Sequence, residues 1–366
     1  MAKNTTTDVQ FMKKALALAR RGIGRVHPNP MVGAVLVKNN QVTGKGFHER
    51  FGAPHAEVNA IRQAKGQSRG STLYVTLEPC AHYGKTPPCA DFIIQNKIKE
   101  VVIGASDPNP LVSGKGIRRL KKAGVRVRTG ILRKECETLN RDFNYWILKK
   151  MPYVIVKAAQ SLDGKIATKT GESRWISGAL SRKFARTLRA ESDAVLVGAN
   201  TIIRDDPRLT VRGLKYVCQP VKVILDSRLR VSPTARIFSG APQGVVIIAV
   251  TKKADKHRKE KFKGKAEIVI VKEKKGRIDL RSLLLKLARR GIVRVLIEGG
   301  GEVIGEAFSE NCVQEIYFFV TNKIIGGRLA VNSVAGEGIS RLKDAVTIRQ
   351  LTLTRIGEDF MVHGKI

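Results

Sequence analysis

Two consecutive α/β domains are the architecture that this sequence predicts. Its 366 residues exceed the usual size of one domain. Short apolar strands alternate with amphipathic helices in both halves of the chain, which is typical of a layered α/β fold. A polar break at Lys149–Pro152 separates the halves. We therefore expect a first domain over residues 1–148 and a second over residues 152–366.

The first half begins with an amphipathic segment and continues as alternating strands and helices. We expect Asp8 to be the N-cap of the first helix and Cys80 to lie at the start of the helix that follows the third strand. The expected strands are 31–37, 42–47, 71–77, 101–104 and 125–129. The expected helices are 8–21, 116–123 and a segment that begins at residue 55.

A metal-binding pattern lies in this half, between residues 55 and 89. His55 and Glu57 form an H-A-E sequence at a helix start, and Cys80 and Cys89 each follow a proline. One histidine and two cysteines can bind zinc and leave its fourth position to a water. Zinc lowers the pKa of that water, so that a hydroxide can attack an amine-bearing ring carbon. Glu57 can move protons beside it, as in zinc-dependent deaminases.

The second half has the same alternation and adds a glycine-rich turn. The triplet Gly299-Gly300-Gly301 lies between a strand and a helix, where backbone N–H groups favour phosphate. It does not match G-x-G-x-x-G, so a tight structural turn remains an alternative. The expected strands are 153–158, 193–198, 221–226, 245–250, 268–271 and 293–298, and the expected helices are 178–191, 279–290 and 303–308.

Composition limits the classes of protein that the chain can represent. No apolar run approaches the roughly 20 residues of a membrane-spanning helix, and the N-terminus has no secretory signal pattern. Five scattered cysteines indicate a reducing cytosol. The net charge of +36 raises a nucleic-acid hypothesis, with the densest cluster at 252–277. Phe262 is the one aromatic residue within that cluster, so no base-stacking surface is evident, and nucleic acid is not the expected partner.

The spacing of the cysteines narrows the family. Nucleobase deaminases commonly have P-C-x-x-C, whereas eight residues separate Cys80 from Cys89 here. This spacing, with the strings P-N-P-M-V-G-A-V (28–35), T-L-E-P-C-A-H-Y-G-K-T-P-P-C (76–89) and L-N-R-D-F (139–143), resembles the bifunctional pyrimidine deaminase/reductases of riboflavin biosynthesis. S-L-D-G-K-I-A (161–167), G-E-S-R-W-I-S (171–177) and D-D-P-R-L-T-V-R (205–212) resemble their reductase part.

This resemblance implies a cytidine-deaminase-like α/β/α sandwich followed by an α/β domain similar to dihydrofolate reductase. It implies that zinc is bound by His55, Cys80 and Cys89, with Glu57 catalytic. The implied contacts with the phosphoribosylaminopyrimidine are Asn29, His48, His82 and Lys85, while Asp107 and Asn109 close the site.

For the second domain the resemblance implies NADPH as cofactor. The implied cofactor contacts are Ala159, Trp175, Thr201, Asp205, Ser227, Gly300, Gly301, Glu302, Val303, Ile304 and Gly305. The implied substrate contacts are Lys157, Ser173, Arg189, Leu209, Arg212 and Glu298.

The residue chemistry agrees with several of these roles. Arg189 and Arg212 offer forked donors for a phosphate, and Trp175 offers a flat apolar face, although these residues could instead be surface arginines and a core tryptophan. Lys157, Asp163 and Glu298 are the titratable candidates for proton transfer.

The expected function is thus two consecutive steps of riboflavin biosynthesis in a cytoplasmic homo-oligomer that does not act at a membrane. A deaminase whose second domain has lost activity is one alternative. An RNA-binding or RNA-editing protein is the alternative from another class, suggested by the charge and the deaminase motif. The long cysteine spacing and the reductase strings favour riboflavin biosynthesis over an RNA-binding function.

Overall fold

The structure is a computed structural model that describes residues 6–83, 87–110, 112–213, 218–239 and 245–366. The chain divides into two compact units, Met1–Lys150 and Met151–Ile366. In each unit, strands and helices alternate along the chain, which confirms the expected α/β class. Among the described residues, no helix has the length and apolarity needed to cross a membrane.

The first unit is built on a five-stranded sheet in the order β2-β1-β3-β4-β5. Strand β1 runs antiparallel to β2 and β3, whereas β3, β4 and β5 are parallel. The strands are β1 (Gly33–Lys38), β2 (Gln41–Phe47), β3 (Thr72–Leu77), β4 (Glu100–Ala105) and β5 (Arg126–Thr129). The parallel strands place their carboxyl ends at one edge, where loops can converge on a site.

Helices cover both faces of this sheet. They are α1 (Thr6–Ala19), α2 (Ala56–Gln63), α3 (Cys89–Gln95), α4 (Lys115–Lys122), α5 (Arg133–Leu139) and α6 (Arg141–Lys149). One apolar core lies between the sheet and helices α2, α3 and α4, and a second lies under α1 and α5. The sheet is therefore the middle layer of an α/β/α sandwich.

Two expectations about this unit are wrong. Asp8 lies in the first turn of α1 and is not its N-cap, because its carboxylate is buried against Arg128 and accepts the Tyr74 hydroxyl. Cys80 lies in the loop after β3, and the helix that follows begins instead at Cys89. Arg128, 120 residues away in sequence, binds the Asp8 carboxylate and so keeps it from capping the helix. The residues between the two cysteines separate Cys80 from the start of α3.

The second unit has a nine-stranded sheet in the order β11-β10-β9-β8-β14-β6-β15-β18-β17. The strands from β11 to β15 run parallel, and β18 and β17 complete the sheet with antiparallel pairs. The strands of this sheet are β6 (Tyr153–Gln160), β8 (Ala194–Gly198), β9 (Val221–Leu225), β10 (Val246–Val250), β11 (Glu267–Ile270), β14 (Arg294–Gly299), β15 (Glu315–Val320), β17 (Arg349–Ile356) and β18 (Asp359–Lys365). Two separate two-stranded sheets pair β7 (Lys165–Ala167) with β16 (Val331–Asn332) and β12 (Glu273–Lys274) with β13 (Arg277–Ile278).

The helices of this unit connect the parallel strands. They are α7 (Ala179–Ala190), α8 (Ala199–Asp205), α9 (Lys256–Glu260), α10 (Leu280–Arg289) and α11 (Gly301–Ser309). Helix α8 and the three C-terminal strands β15, β17 and β18 go beyond the elements expected from the sequence. Helices α8 and α11 begin directly after β8 and β14, so their N-termini lie at the carboxyl edge of the sheet.

Candidate active sites

The first unit brings one histidine and two cysteines together at the carboxyl edge of its sheet. His55 Nδ1 lies 3.0 Å from Cys89 Sγ and 3.7 Å from Cys80 Sγ, and all three ligand atoms lie within 4.8 Å of one another. His55 is the N-cap of α2 and Cys89 is the first residue of α3. Two helix starts and one loop therefore converge on a single point.

The donor set fits a zinc ion. Tetrahedral zinc with arms of about 2.0–2.3 Å separates its ligand atoms by roughly 3.5 Å, close to the distances between His55 and the two cysteines. Hydrogen bonds from Cys89 and His55 lower the pKa of the Cys80 thiol to about 4. That thiol is therefore ready to lose its proton to a metal ion.

Glu57 lies in the first turn of α2, two residues after His55. Its side chain is buried, with 3 % of its surface exposed. Burial raises the pKa of Glu57 above its ordinary value, while the His55 imidazole acts in the opposite direction. A carboxyl group in that environment can accept a proton and release it again, as a proton carrier must.

A cavity of about 320 Å³ opens in front of this cluster. Five of the residues expected to contact substrate or close the site line it together with His55, Glu57 and Cys80: Asn29, His48, His82, Asp107 and Asn109. His82 is exposed within the loop that joins Cys80 to Cys89. Lys85, the remaining expected contact of this unit, lies outside the described residues.

Asn29 and His48 form one hydrogen-bonded pair on the cavity wall. Asn29 Nδ2 lies 3.1 Å from His48 Nε2, and His48 Nδ1 lies 3.2 Å from the Pro54 carbonyl oxygen. Burial lowers the pKa of His48, so the neutral ring is favoured. A neutral ring that donates from Nδ1 to Pro54 accepts at Nε2 from Asn29, which fixes the direction of both side chains.

The segment that carries Asn29 is held by a residue that sequence reasoning gave no role. The buried Asn140 side chain accepts the Met31 N–H at 2.8 Å and donates to the Met31 carbonyl oxygen at 2.9 Å. Asn140 belongs to the L-N-R-D-F string, which carries the family resemblance but by itself indicates no role for the asparagine. Its 109-residue separation from Met31 explains why local patterns could not reveal this contact.

Glu78 is a second residue that sequence reasoning missed. Its buried carboxylate accepts the N–H groups of Gly114, Gly116 and Ile117 at 3.0–3.3 Å, at the start of α4. A Cβ at Gly116 would overlap the carbonyl oxygen of Pro79, so the two segments pack without space between them. Glu78 thus ties the turn that carries Cys80 to the loop that leads into α4.

Asp107 lies at the start of that same loop. Its carboxylate accepts the Asn109 N–H at 2.8 Å. Burial raises the pKa of Asp107 to about 6, and the charge of Glu78 acts in the same direction. The loop therefore places a second weakly acidic carboxyl group in the lining of the cavity, next to Asn109.

In the second unit, three charged side chains meet on one face of the sheet. Arg189 donates from Nε and from one terminal nitrogen to the two oxygens of Glu298, each at 2.7 Å. Burial disfavours the charged form of Glu298, but the Arg189 guanidinium keeps the pKa of Glu298 below its ordinary value. Burial lowers the pKa of Lys157, while Glu298 opposes that shift.

Protein groups engage the Arg189 fork in this structure, and its contact with substrate stays a prediction. We expected the donor fork of Arg189 to bind a phosphate, but Glu298 occupies that fork. The Thr210 carbonyl oxygen accepts a hydrogen bond from the remaining terminal nitrogen at 3.0 Å. Arg212 is exposed, and its Nε donates to Thr210 Oγ1 at 3.1 Å. Among the residues that the structure describes, none bonds to the terminal nitrogens of Arg212, so they can bind a ligand.

The expected substrate and cofactor contacts also meet at the end of α8. Ser173 donates its hydroxyl to Asp205 Oδ1 at 3.0 Å. Leu209, farther along the same segment, is buried and has a positive φ of 49°. This segment places Leu209 and Arg212 on either side of Thr210, the residue that contacts both arginines.

Trp175 is not a core residue. Its side chain is 65 % exposed, and the Arg182 guanidinium lies 4.5 Å from its ring centre. The Lys323 ammonium donates to its backbone carbonyl at 2.8 Å. An exposed indole held in this way offers the flat face that the sequence predicted for an aromatic ring.

The glycine-rich turn leads into α11 with a positive φ of 81° at Gly300. A Cβ at Gly301 would overlap the Asn332 carbonyl, and one at Gly305 would overlap the Ala335 carbonyl. These two glycines thus permit close packing against another segment. The N–H groups in the first turn of α11, at Gly301, Glu302 and Val303, precede the first intrahelical bond, which Ile304 donates to Gly300.

The remaining expected cofactor contacts lie near the carboxyl edge of the sheet. Thr201 is in the first turn of α8, where its hydroxyl would lie 3.3 Å from a Cβ built on Gly299. Ala159 is near the end of β6. The Ser227 carbonyl accepts both the N–H and the hydroxyl of Thr251.

Asp163 is a titratable candidate that the structure removes. Its carboxylate accepts the Ser161 hydroxyl and the N–H groups of Ile325 and Gly326. These bonds lower the pKa of Asp163 to about 2. A carboxylate held ionised by its hydrogen bonds is a poor proton donor at neutral pH. The same argument applies to Glu298 beside Arg189, so Lys157, whose pKa is lowered by burial, is the candidate that remains.

Two family models match the chain, one in each unit. Residues 152–362 match the RibD C-terminal domain. Residues 5–105 match the cytidine and deoxycytidylate deaminase zinc-binding region.

Full-length relatives have the same order of domains. A riboflavin biosynthesis protein RibD from Aquifex aeolicus is 42 % identical over 98 % of both chains, and one from Bacillus amyloliquefaciens is 44 % identical over 95 % of this chain and 94 % of its own. Among solved structures, RibD from Acinetobacter baumannii has a TM-score of 0.88 at 37 % identity. A diaminohydroxyphosphoribosylaminopyrimidine deaminase/5-amino-6-(5-phosphoribosylamino)uracil reductase from Thermotoga maritima has a TM-score of 0.87 at 38 % identity. Each structure covers 98 % of both chains.

Proposed function

Because the chain belongs to the RibD family of bifunctional riboflavin-biosynthesis proteins, we propose that its two units catalyse consecutive steps on one phosphorylated pyrimidine. The first step is hydrolytic deamination of 2,5-diamino-6-(5-phosphoribosylamino)pyrimidin-4(3H)-one. The second is NADPH-dependent reduction of 5-amino-6-(5-phosphoribosylamino)uracil to its ribityl product. We assign the first step to residues 1–148 and the second to residues 152–366.

The observation that carries the first assignment is the convergence of His55, Cys80 and Cys89 beside a buried Glu57. Zinc, when bound there, supplies a Lewis acid that makes water nucleophilic at neutral pH. Glu57 would accept one proton from the attacking water and deliver it to the ring nitrogen, and would then carry the second proton of that water to the amine that leaves as ammonia. The Asn29–His48 pair would orient the pyrimidine edge, and His82 and Lys85 would contact the ribose phosphate or the base edge.

The second assignment rests on the charged group formed by Lys157, Arg189 and Glu298. NADPH supplies the hydride, so the protein must position the ribose and exclude water. Glu298 bonds Arg189 and lies near Lys157. These three side chains would form a polar surface that can bind the sugar hydroxyls. The first turn of α11 offers N–H groups to the cofactor phosphates, and Trp175 offers its face to a ring.

Incubation with the diaminopyrimidine phosphate tests both assignments at once. Without NADPH the enzyme should release ammonia and accumulate the phosphoribosylamino-uracil. With NADPH the uracil should be consumed and NADPH oxidised in equal amount. A chain that deaminates but never oxidises NADPH would match a deaminase with an inactive second unit, and a chain that does neither would contradict the proposal.

Metal content gives a direct test of the zinc site. We expect about one zinc per chain in the purified protein, because three ligands converge on one point. Removal of the metal with a chelator should abolish deamination and leave reduction of separately supplied uracil substrate intact. Metal analysis and both product assays check this result. Loss of both activities together would mean that zinc supports the whole fold.

Arg212 gives a test of the reductase site. We expect Arg212→Ala to raise the KM for the phosphorylated uracil by roughly 10-fold or more, since a charged hydrogen bond to phosphate is worth about 1.5–3 kcal/mol. The KM for NADPH should change less than 3-fold. Initial-rate kinetics with each substrate varied in turn provide the measurement. The reverse pattern would move Arg212 to the cofactor site.

We also propose that the enzyme is a cytosolic homo-oligomer that associates through the end of its larger sheet. Strand β17 is an edge strand, and it exposes Leu351 and Leu353 by 60 % and 66 %. Phe360 of the paired strand β18 is 43 % exposed on the same face. An edge strand with an apolar face is a natural surface for a second copy of the chain. All five cysteines are free, which suits a reducing compartment.

Negative charge on the exposed face of β17 should dissociate the oligomer. We expect Leu351→Glu/Leu353→Glu to convert the oligomer to monomers, because each carboxylate would be desolvated in the interface. Leu329→Glu, at a leucine that is 78 % exposed elsewhere in the unit, serves as control. Light scattering after gel filtration gives the mass of each variant. An unchanged mass in the double variant would show that another surface mediates association.

A further inference from the structure

A second large cavity lies in the reductase unit, between helix α10 and the edge strand β11. Its volume is about 780 Å³, within the range of pockets that hold small ligands. It is lined by Lys252, Lys253, Ile270, Val271, Lys272, Glu273, Ser282, Leu285, Lys286 and Arg289, which together we call the basic groove. None of these residues is among the contacts assigned to either reaction.

Most of the charge in the lining of the basic groove is uncompensated, although Asp279 beside the groove interacts electrostatically with Lys272. Lys253 forms an ion pair with Glu273 at 2.7 Å, and that carboxylate is the one acidic group in the lining. The other four cations are Lys252, Lys272, Lys286 and Arg289, all of them exposed. No hydrogen bond or ion pair engages these four side chains within the described part of the chain. Together they form a concave field that attracts anions.

The floor of the basic groove is apolar. Ile270 is 48 % exposed at the edge of the sheet, with Val271 beside it. Leu285 lies opposite, on the face of α10 that also carries Lys286 and Arg289. The groove therefore combines separated cations with an apolar surface, a combination that suits a ligand with both phosphates and a planar ring.

The positions of the cations indicate the size of that ligand. Helix positions 282 and 289 are separated by roughly 10 Å along the axis of α10. Lys272 lies near the start of α10, because the Asp279 N–H donates to its carbonyl oxygen at 2.9 Å, whereas Arg289 lies at the other end. Cations near both ends of α10 suit a ligand that carries more than one phosphate, such as a nucleoside diphosphate.

We propose that the basic groove binds a nucleoside polyphosphate, with its phosphates on Lys252, Lys272, Lys286 and Arg289 and its base on the apolar floor. An extended RNA strand fits less well. Successive bases would need aromatic stacking partners, and the lining of the groove contains no aromatic residue.

Binding of ADP to the full-length protein tests this site. Because Thr251 bonds directly to Ser227, an assigned cofactor contact, the protein is first saturated with NADP⁺ to block that site. Titration calorimetry should then show one ADP per chain. Lys286→Glu/Arg289→Glu should weaken ADP binding at least 10-fold without changing the affinity for NADP⁺. Absence of ADP binding to the wild-type protein would overturn the proposal.

A matched control separates the groove from the general charge. Lys256→Glu/Lys263→Glu makes the same change in net charge at exposed lysines of the same region that do not line the groove. It should alter ADP affinity less than 3-fold. If both double substitutions weaken ADP binding equally, the binding is nonspecific electrostatic attraction and the proposal fails. Lys252→Gln/Lys272→Gln provides a second groove variant if charge reversal on α10 impairs folding.

Two competitors test the chemistry of the ligand. Inorganic pyrophosphate should compete at least 10-fold less well than ADP, because it cannot use the apolar floor. A 20-nucleotide oligouridylate should not bind more tightly than ADP at physiological salt. Equal competition by pyrophosphate, or preferred binding of the oligonucleotide, would contradict a nucleoside polyphosphate site.

Discussion

Glu57→Gln is expected to lower the rate of deamination by roughly 10²–10⁴-fold, the range typical of a removed general acid–base. Glutamine keeps the size and polarity of the side chain at this buried position but cannot carry a proton. The zinc content should therefore stay at about one per chain. Reduction of separately supplied uracil substrate should also continue, because it is assigned to residues 152–366. Ammonia release, metal analysis and NADPH oxidation measure the three quantities.

The matched control is Glu137→Gln, which removes a carboxylate from a surface pair with Arg133 in the same unit. That variant should deaminate at the wild-type rate. If Glu57→Gln kept its metal and more than a tenth of the wild-type rate, Glu57 would not be the proton carrier. Loss of zinc in the variant would assign Glu57 a role in holding the site together.

Glu298→Gln is expected to destabilise the reductase unit by about 3 kcal/mol and to stop reduction. Arg189 and Glu298 form a buried pair with side chains 16 % and 7 % exposed, and removal of one partner leaves a buried charge without compensation. Lys157 loses the same counter-charge. The unfolding temperature of this unit should fall by roughly 5–10 °C. Calorimetry and NADPH oxidation measure the two effects.

Glu267→Gln is the control for this variant. Glu267 also makes two hydrogen bonds to one arginine, Arg290, at 2.6 and 2.8 Å. That pair is exposed, with side chains 37 % and 48 % accessible, so its loss should cost less than about 1 kcal/mol. Equal destabilisation by the two substitutions would mean that burial does not set the strength of the Arg189–Glu298 pair.

Local patterns predicted the parallel strands well because each is a short apolar run between polar turns. The C-terminal strands escaped the same reasoning. Strand β17 is exposed over nearly its whole length, so it has no alternation of buried and exposed positions to detect. Its place depends on pairing with β18, which in turn pairs with β15. Pairing of this kind is a property of the assembled sheet.

The same distinction applies to charged side chains. The fork of Arg189 suits a phosphate or a carboxylate equally well, and only the fold brings Glu298, 109 residues away, against it. Asp8 was expected to be a helix cap because aspartate favours that position, yet Arg128 and Tyr74 bind it. A side chain with several possible partners is assigned only when the structure shows which one is near.

By itself, the sequence predicted the two-domain α/β order, the family, and a cluster of His55, Cys80, Cys89 and Glu57, which the fold does bring together. These features depend on residue type and short spacing, which the covalent chain carries directly. Only the tertiary structure decided that Glu78 ties the turn that carries Cys80 to α4, that Arg189 pairs with Glu298, and that four cations share one groove. Each of these depends on residues distant in sequence, whose meeting is set by sheet order and core packing.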